Sequence, residues 1–379
     1  MADPRIDRLA RVLVHYSMKV RKGDYVRIGG PAIAAPHIAA AYREVLQAGG
    51  YPTVRCTIDG LEETFFKLAS DEQLRFISDL DRREVEVLNC ELRYLGAYNT
   101  RALTHVPPER MRIRREATRE IMSRFMERAA KHELRWCLTQ APVHADAQEA
   151  EMSLGEYEDF VYKAGHVDAD DPVAEWQRVE REQAAVAERL GTVKTLRIVA
   201  ADTDLTVGVG GRTWISAAGE HNFPDGEVFT GPVETATNGT VRFTFPAIYG
   251  GREVTGIRLT FKDGKVTEAR ADKGEEFLRS MLDIDAGARV LGEFAFGLNY
   301  EIQQFTRNIL FDEKIGGTVH MALGAAYPDT GGKNVSGLHW DMILDLRGAP
   351  SGAGKAASSG AGEVFADGEV VYRNGRFLT

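Results

Sequence analysis

The stretch 312–346, DEKIGGTVHMALGAAYPDTGGKNVSGLHWDMILDL, sets two β-prone runs around a glycine-rich connection. In a strand, residues two apart share a face. His339 and Asp341 therefore share one side of LHWDMILDL, while Trp340, Met342 and Leu344 take the other. His320 in TVHMALG stands opposite the row Val319, Met321 and Leu323 in the same way. Both runs read as strands with an apolar face for a core and a second face that carries ionisable groups. Tyr327 follows beyond Gly324, and Asp345 continues the His339 face past the other two. Upstream, Glu227 comes after the turn FPDG and opens EVFT, and Glu293 interrupts the apolar run VLGEFAFG.

The texture around this stretch is that of antiparallel sheet. After Gly191, TNGTVRFTF, FKDGKVTEA, FADGEVVY and YRNGRFLT each place Asn-Gly or Asp-Gly between β-prone residues, which is hairpin chemistry. One helix is expected over 274–283, and the low-complexity run 351–362 reads as a mobile loop. The first half alternates instead. Helical spacing over 6–20 and 33–46 is interleaved with DYVRIGG, PTVRCTI, VEVLNC and LRWCLTQA as short strands, and 110–131 is a polar helix. That alternation predicts a parallel α/β sheet. Gly29-Gly30 lacks the spacing of a dinucleotide fingerprint and reads as a strand-to-helix turn. The amphipathic helix 171–190 connects the halves. The expectation is an α/β domain over 1–192 and a β-rich α+β metal-binding domain over 193–379.

The net charge of -9 argues against binding driven by nucleic-acid phosphates. No apolar run is long enough to span a bilayer, and the N-terminus has no signal-peptide core. Cys56, Cys90 and Cys137 are widely spaced and odd in number, against a disulfide framework or thiolate metal site. The expected compartment is the cytoplasm.

A carboxylate in an apolar strand must be paired, protonated or bound to metal. Taken singly, each residue also has an ordinary reading. A strand histidine can be a hydrogen-bonded core residue, Glu293 can pair with an arginine, Asp341 can cap a turn, Glu227 can be solvated, and Tyr327 can simply pack. Spacing alone leaves both readings open. If the groups converge, two imidazoles and three carboxylates exceed the roughly three protein ligands of a single catalytic metal. The surplus points to two ions sharing a carboxylate. Mixed nitrogen and oxygen ligation suits zinc, cobalt or manganese better than calcium. Such a pair acidifies a shared water, polarises a carbonyl and stabilises an oxyanion, the chemistry of amide hydrolysis.

GEVFTGP, GEFAFGLN, DEKIGGTVHMALGAAY and NVSGLHWDMI resemble the motifs of the aminopeptidase T and aminopeptidase S family of metallo-aminopeptidases. KVRKGDYVRI, LTQAPVHADAQEAEMSLGEYEDFV, DPVAEW and DTDLTV extend the resemblance over nearly the whole chain. It implies a cytoplasmic homodimeric exopeptidase that removes N-terminal residues from peptides with two divalent ions, zinc, cobalt, manganese or magnesium. Carried over by motif, the metal ligands are Glu227, Glu293, His320, His339 and Asp341, with Glu293 bridging the ions and Tyr327 a ligand or oxyanion donor. Lys314, Asn334 and Ser336 are candidates for holding substrate or a ligand; their ordinary readings are a surface lysine and turn residues. His221 is near Glu227 in sequence and reads as a surface residue. The resemblance also touches mononuclear iron enzymes that open dihydroxypyridine rings, so the alternatives are one iron on His320, His339 and Asp341, or a non-catalytic binding protein.

Overall fold

The structure is a computed structural model, and it describes residues 3–348 and 362–378. The chain divides into two compact units. One comprises Met1–Trp176 with Gly219–Pro224, the other Gln177–Ala218 with Asp225–Thr379.

The first unit is α/β. Its sheet runs, in spatial order, Tyr51–Thr57, Tyr25–Pro31, Cys90–Leu95, Arg135–Gln140 and Asn222–Phe223, with every neighbouring pair parallel. Helices Ala35–Gln47, Asp79–Val87 and Pro108–Ala130 supply crossovers. The N-terminal helix changes character: Pro4–Val12 is α-helical and Leu13–Ser17 continues it as a π-helix.

VEVLNC is not a strand. Val85 to Val87 end the helix Asp79–Val87, and the strand is the next segment, Cys90–Leu95. Two valines alternating with a glutamate fit either period. The cap decides: the Ser78 hydroxyl accepts from the Asp81 backbone N–H at 3.1 Å and starts a helix that buries Val85. In the strand, Cys90, Leu92 and Tyr94 alternate inward.

The second unit is built of antiparallel sheet. An eight-stranded sheet runs Lys265–Arg270, Arg258–Lys262, Thr237–Arg242, Thr203–Gly208, Thr195–Ala200, Glu363–Ala366, Glu369–Arg373 and Arg376–Phe377. A five-stranded sheet runs His339–Asp345, Thr318–Gly324, Leu291–Gly297, Glu227–Thr230 and Ile215–Ala217. The core joins apolar faces of the two: Leu196, Ile198, Leu205 and Val207 from the first meet Phe294, Phe296, Met321, Trp340 and Met342 from the second. The α/β unit followed by a β-rich unit is the architecture expected from the sequence. Among the described residues, no helix is long and apolar enough to cross a membrane.

Three of the four Asn-Gly and Asp-Gly pairs are turns. Asp263-Gly264, Asp367-Gly368 and Asn374-Gly375 have positive φ at both residues and join paired strands. Asn238-Gly239 is different and lies inside the strand Thr237–Arg242. There Gly239 has φ +115°, and a Cβ would stand 2.2 Å from the Asp204 carbonyl oxygen. Close approach of a neighbouring strand, not a reversal of the chain, requires that glycine. The run 351–362 lies outside the described residues apart from Gly362.

Candidate metal centre

The five-stranded sheet of the second unit has one face in the core and one face that gathers charge. Antiparallel pairing puts His339 opposite Gly324, Asp341 opposite Ala322, His320 opposite Ala295 and Glu227 opposite Gly297. A bulge between Leu291 and Glu293 brings Glu293 opposite Ala322. Gly292 makes the bulge possible, because a Cβ there would lie 2.4 Å from the carbonyl oxygens of Gly324 and Ala325. Glu227, Glu293, His339 and Asp341 thus face alanine or glycine across the ladder, while His320 faces Ala295 on one side and Ile343 on the other. Small partners leave room above the sheet for something other than protein.

The side chains converge. His320 Nε2 lies 3.3 Å from Glu227 Oε2 and 3.6 Å from Glu293 Oε1. His339 Nε2 lies 3.2 Å from Glu293 Oε2 and 3.6 Å from Asp341 Oδ1. Two ligand triads result, Glu227–Glu293–His320 and Glu293–His339–Asp341, each with its donor atoms within 4.8 Å of one another. Glu293 belongs to both. His339 Nδ1 is 2.9 Å from the Ala325 carbonyl oxygen. That contact makes Nδ1 the protonated nitrogen and turns Nε2 toward the carboxylates.

Two further carboxylates were not singled out by the sequence. Glu313 forms a third group with His320 and Asp341 within the same 4.8 Å, and Asp225 is buried beside Lys314. Glu313 and Asp225 sit in DEKIGG and FPDGE, segments already notable for their neighbours. Both lie outside strands, so no alternation marks them. Lys314 is fully buried. Its ammonium contacts Glu313 and lies 3.6 Å from Glu227 Oε1 and 3.9 Å from Asp225 Oδ1.

Titration follows from this crowding. Burial pushes Glu227 up to about 8, against the pull of Lys314. Burial also raises Asp341, to about 6, despite His339. Burial would raise Glu293 too, but hydrogen bonds from His320 and His339 hold it down at about 2. Burial would lower both imidazoles; contact with Glu293 and its neighbours carries His320 to about 9 and His339 to about 10. Lys314 is held protonated, because Glu227, Glu313 and Asp225 outweigh the burial that would neutralise it.

A divalent cation fits this donor set. Glu227 Oε2 and Asp341 Oδ1 are buried with no hydrogen-bond partner. Such atoms cost free energy unless something else engages them. With both imidazoles neutral and all five carboxylates ionised, the state metal ligation requires, Asp225, Glu227, Glu293, Glu313 and Asp341 bring five negative charges against one from Lys314, leaving four to be balanced. Mixed imidazole and carboxylate donors are those of zinc, cobalt or manganese sites.

Tyr327 stands at the rim and is half-exposed, with its ring 5.2 Å from that of His339 and 5.5 Å from that of Phe229. Burial of its hydroxyl, with Glu293 and Asp341 nearby, raises the phenol above its ordinary value. It is a hydrogen-bond donor at neutral pH. Asn334 and Ser336 are engaged in the loop itself. The Asn334 amide donates to the carbonyls of Gly287 and Gly324, and the Ser336 hydroxyl donates to Asp285. Asp345 pairs with Arg347. His221 stacks on Trp136 in the first unit, with ring centroids 4.7 Å apart.

The chain is similar to known proteins over its whole length. Residues 2–377 match the thermophilic metalloprotease (M29) family. Aminopeptidase 2 of Geobacillus stearothermophilus is 28% identical over 371 residues, covering 91% of this chain and 89% of that protein. Aminopeptidase T of Thermus thermophilus is 30% identical over 361 residues, covering 86% and 85%. The solved structure of wild-type AmpT from Thermus thermophilus superposes with a TM-score of 0.85 at 25% identity, covering 99% of both chains. The 2,5-dihydroxypyridine dioxygenase of Pseudomonas putida KT2440 shares the fold, with a TM-score of 0.61 at 12% identity over 100% and 98% of the chains. On the family match and these relatives, the chain belongs to the thermophilic metalloprotease family.

Proposed function

We infer that this chain is a metal-dependent aminopeptidase, hydrolysing the bond after the N-terminal residue of peptides. The observation that carries the reading is the sharing of Glu293 between two ligand triads, one buried and one half-buried. Glu227, Glu293 and His320 would hold one divalent ion, and Glu293, His339 and Asp341 a second. Zinc, cobalt, manganese and magnesium are the candidate ions. Two such ions supply a water activated at neutral pH and a polarised carbonyl. They also match the four unbalanced negative charges. Glu227 and Glu293 are the residues that favour this reading over a one-iron oxygenase on His320, His339 and Asp341.

The other residues have complementary tasks. Tyr327, protonated at the rim, donates to the oxygen of the attacked carbonyl as charge develops there. Glu313, within reach of the same groups as His320 and Asp341, accepts the proton from water and returns it to the leaving amine. Lys314 does not touch substrate, being fully enclosed; it holds Glu227 and Glu313 in place. A homodimer and a cytoplasmic location belong to the same proposal, on the resemblance to the aminopeptidases.

The test is release of p-nitroaniline from leucyl p-nitroanilide by the metal-loaded protein. Turnover that stops with a chelator, returns with a divalent ion and is absent on the N-acetylated substrate supports the reading. Equal cleavage of the acetylated substrate, or no turnover with any of the four ions, contradicts it.

A further inference from the structure

The charged face of the five-stranded sheet also carries apolar residues that the core does not use. Phe229 is two residues from Glu227 on the strand Glu227–Thr230, so the two share a face about 6.6 Å apart. Its cross-strand partners are Ala295 on one side and Ile215 on the other. Ala295 in turn pairs with His320. One row of the sheet face therefore reads Ile215, Phe229, Ala295, His320. Val228 and Trp214, the sequence neighbours of Phe229 and Ile215, point the other way into the core. Phe229 and Ile215 are half-buried and take no part in that core. The Phe229 ring instead meets Tyr327 at an interplanar angle of 61°, forming a corner of two aromatic rings.

We propose that Phe229, with Ile215 and Tyr327, forms the subsite for the side chain of the N-terminal residue of the substrate, and selects branched aliphatic and aromatic side chains. The proposal rests on the aminopeptidase reading of the neighbouring ligands and adds the substrate class. Phe229 lies diagonal to Glu293 and next to Glu227, beside the Glu227–Glu293–His320 triad. Phe229 stands two residues along the strand from Glu227 and two strands across the row from His320, so the corner lies on the same sheet face as these ligands and beside them. Ala295 leaves the gap between His320 and Phe229 open. Apolar surface removed from water against Phe229 and Ile215 supplies the selectivity. Acidic side chains would stand beside the carboxylates Glu227 and Glu293 of the ligand cluster. Lys314 is buried against Glu227, and the half-buried Arg212, at the Tyr327 loop, is paired with Glu234 at 2.5 Å.

The experiment compares kcat/KM of the metal-loaded full chain on leucyl, phenylalanyl, alanyl and glutamyl p-nitroanilides. The wild-type protein favours leucyl and phenylalanyl over alanyl, with glutamyl the poorest. In Phe229→Ala, the preference for leucyl and phenylalanyl over alanyl falls about 10-fold or more, chiefly through KM, while metal content is retained. Phe229→Leu keeps apolar volume and shifts preference from phenylalanyl toward leucyl; it stands in if the alanine variant does not fold. An unchanged preference in either folded variant, or a loss equal on all substrates, overturns the subsite and leaves the aminopeptidase reading standing. A wild-type protein that cleaves none of the four overturns both.

Discussion

Lys314 is the residue whose burial is hardest to justify without its neighbours. An isolated ammonium in that position would give up its proton, yet three carboxylates keep it charged. It is also the only fixed positive charge among the described residues in contact with Glu227. Lys314→Met leaves those carboxylates facing each other in a dry site. Breaking a buried ion pair from one side costs about 3–5 kcal/mol. The metal-free variant is therefore expected to unfold at markedly lower urea concentration than the metal-free parent, and added divalent ion should recover part of the difference. Equal midpoints for the two metal-free proteins would mean the ammonium does not support the cluster.

Alternation carries the site at the level of the element. His320, His339 and Asp341 were legible in sequence because Met321, Trp340 and Met342 mark the opposite face of each strand. The less visible half of the pattern is the alanines and glycines across the ladder, which become partners only once register is known. Ala322 pairs with both Glu293 and Asp341. Ala322→Leu adds bulk where the ions would sit and leaves the core face untouched. Its metal affinity is expected to fall about 10–100-fold, measured by competition with a chromogenic chelator, with only a modest loss in melting temperature. Affinity equal to the parent's would contradict the idea that small partners make the space. Elements without a period were read less well. Glu313 and Asp225 sit in connections, where nothing in the spacing signals burial. Asn238-Gly239 carries hairpin residues, but the tertiary approach of Asp204 places it mid-strand. VEVLNC matched two periods, and the Ser78 cap settled it.

For the whole molecule, the two textures of the sequence correspond to two kinds of sheet. Strands of the parallel sheet alternate with helices, so the first half reads as interleaved periods. Antiparallel strands of the second half are joined by short turns, and three dipeptides report them directly. All five proposed ligands, with Glu313, Lys314 and Tyr327, belong to the second unit alone. The number of ions this unit binds is thus a property of one sheet face and its adjoining loops. Elemental analysis of the purified full chain, beside Glu293→Gln, measures that number most directly. The parent should carry two divalent ions per chain, and the variant at most one, with hydrolysis of leucyl p-nitroanilide nearly abolished. A parent saturating at a single ion, or a variant that keeps two ions and its turnover, would contradict a centre built around Glu293.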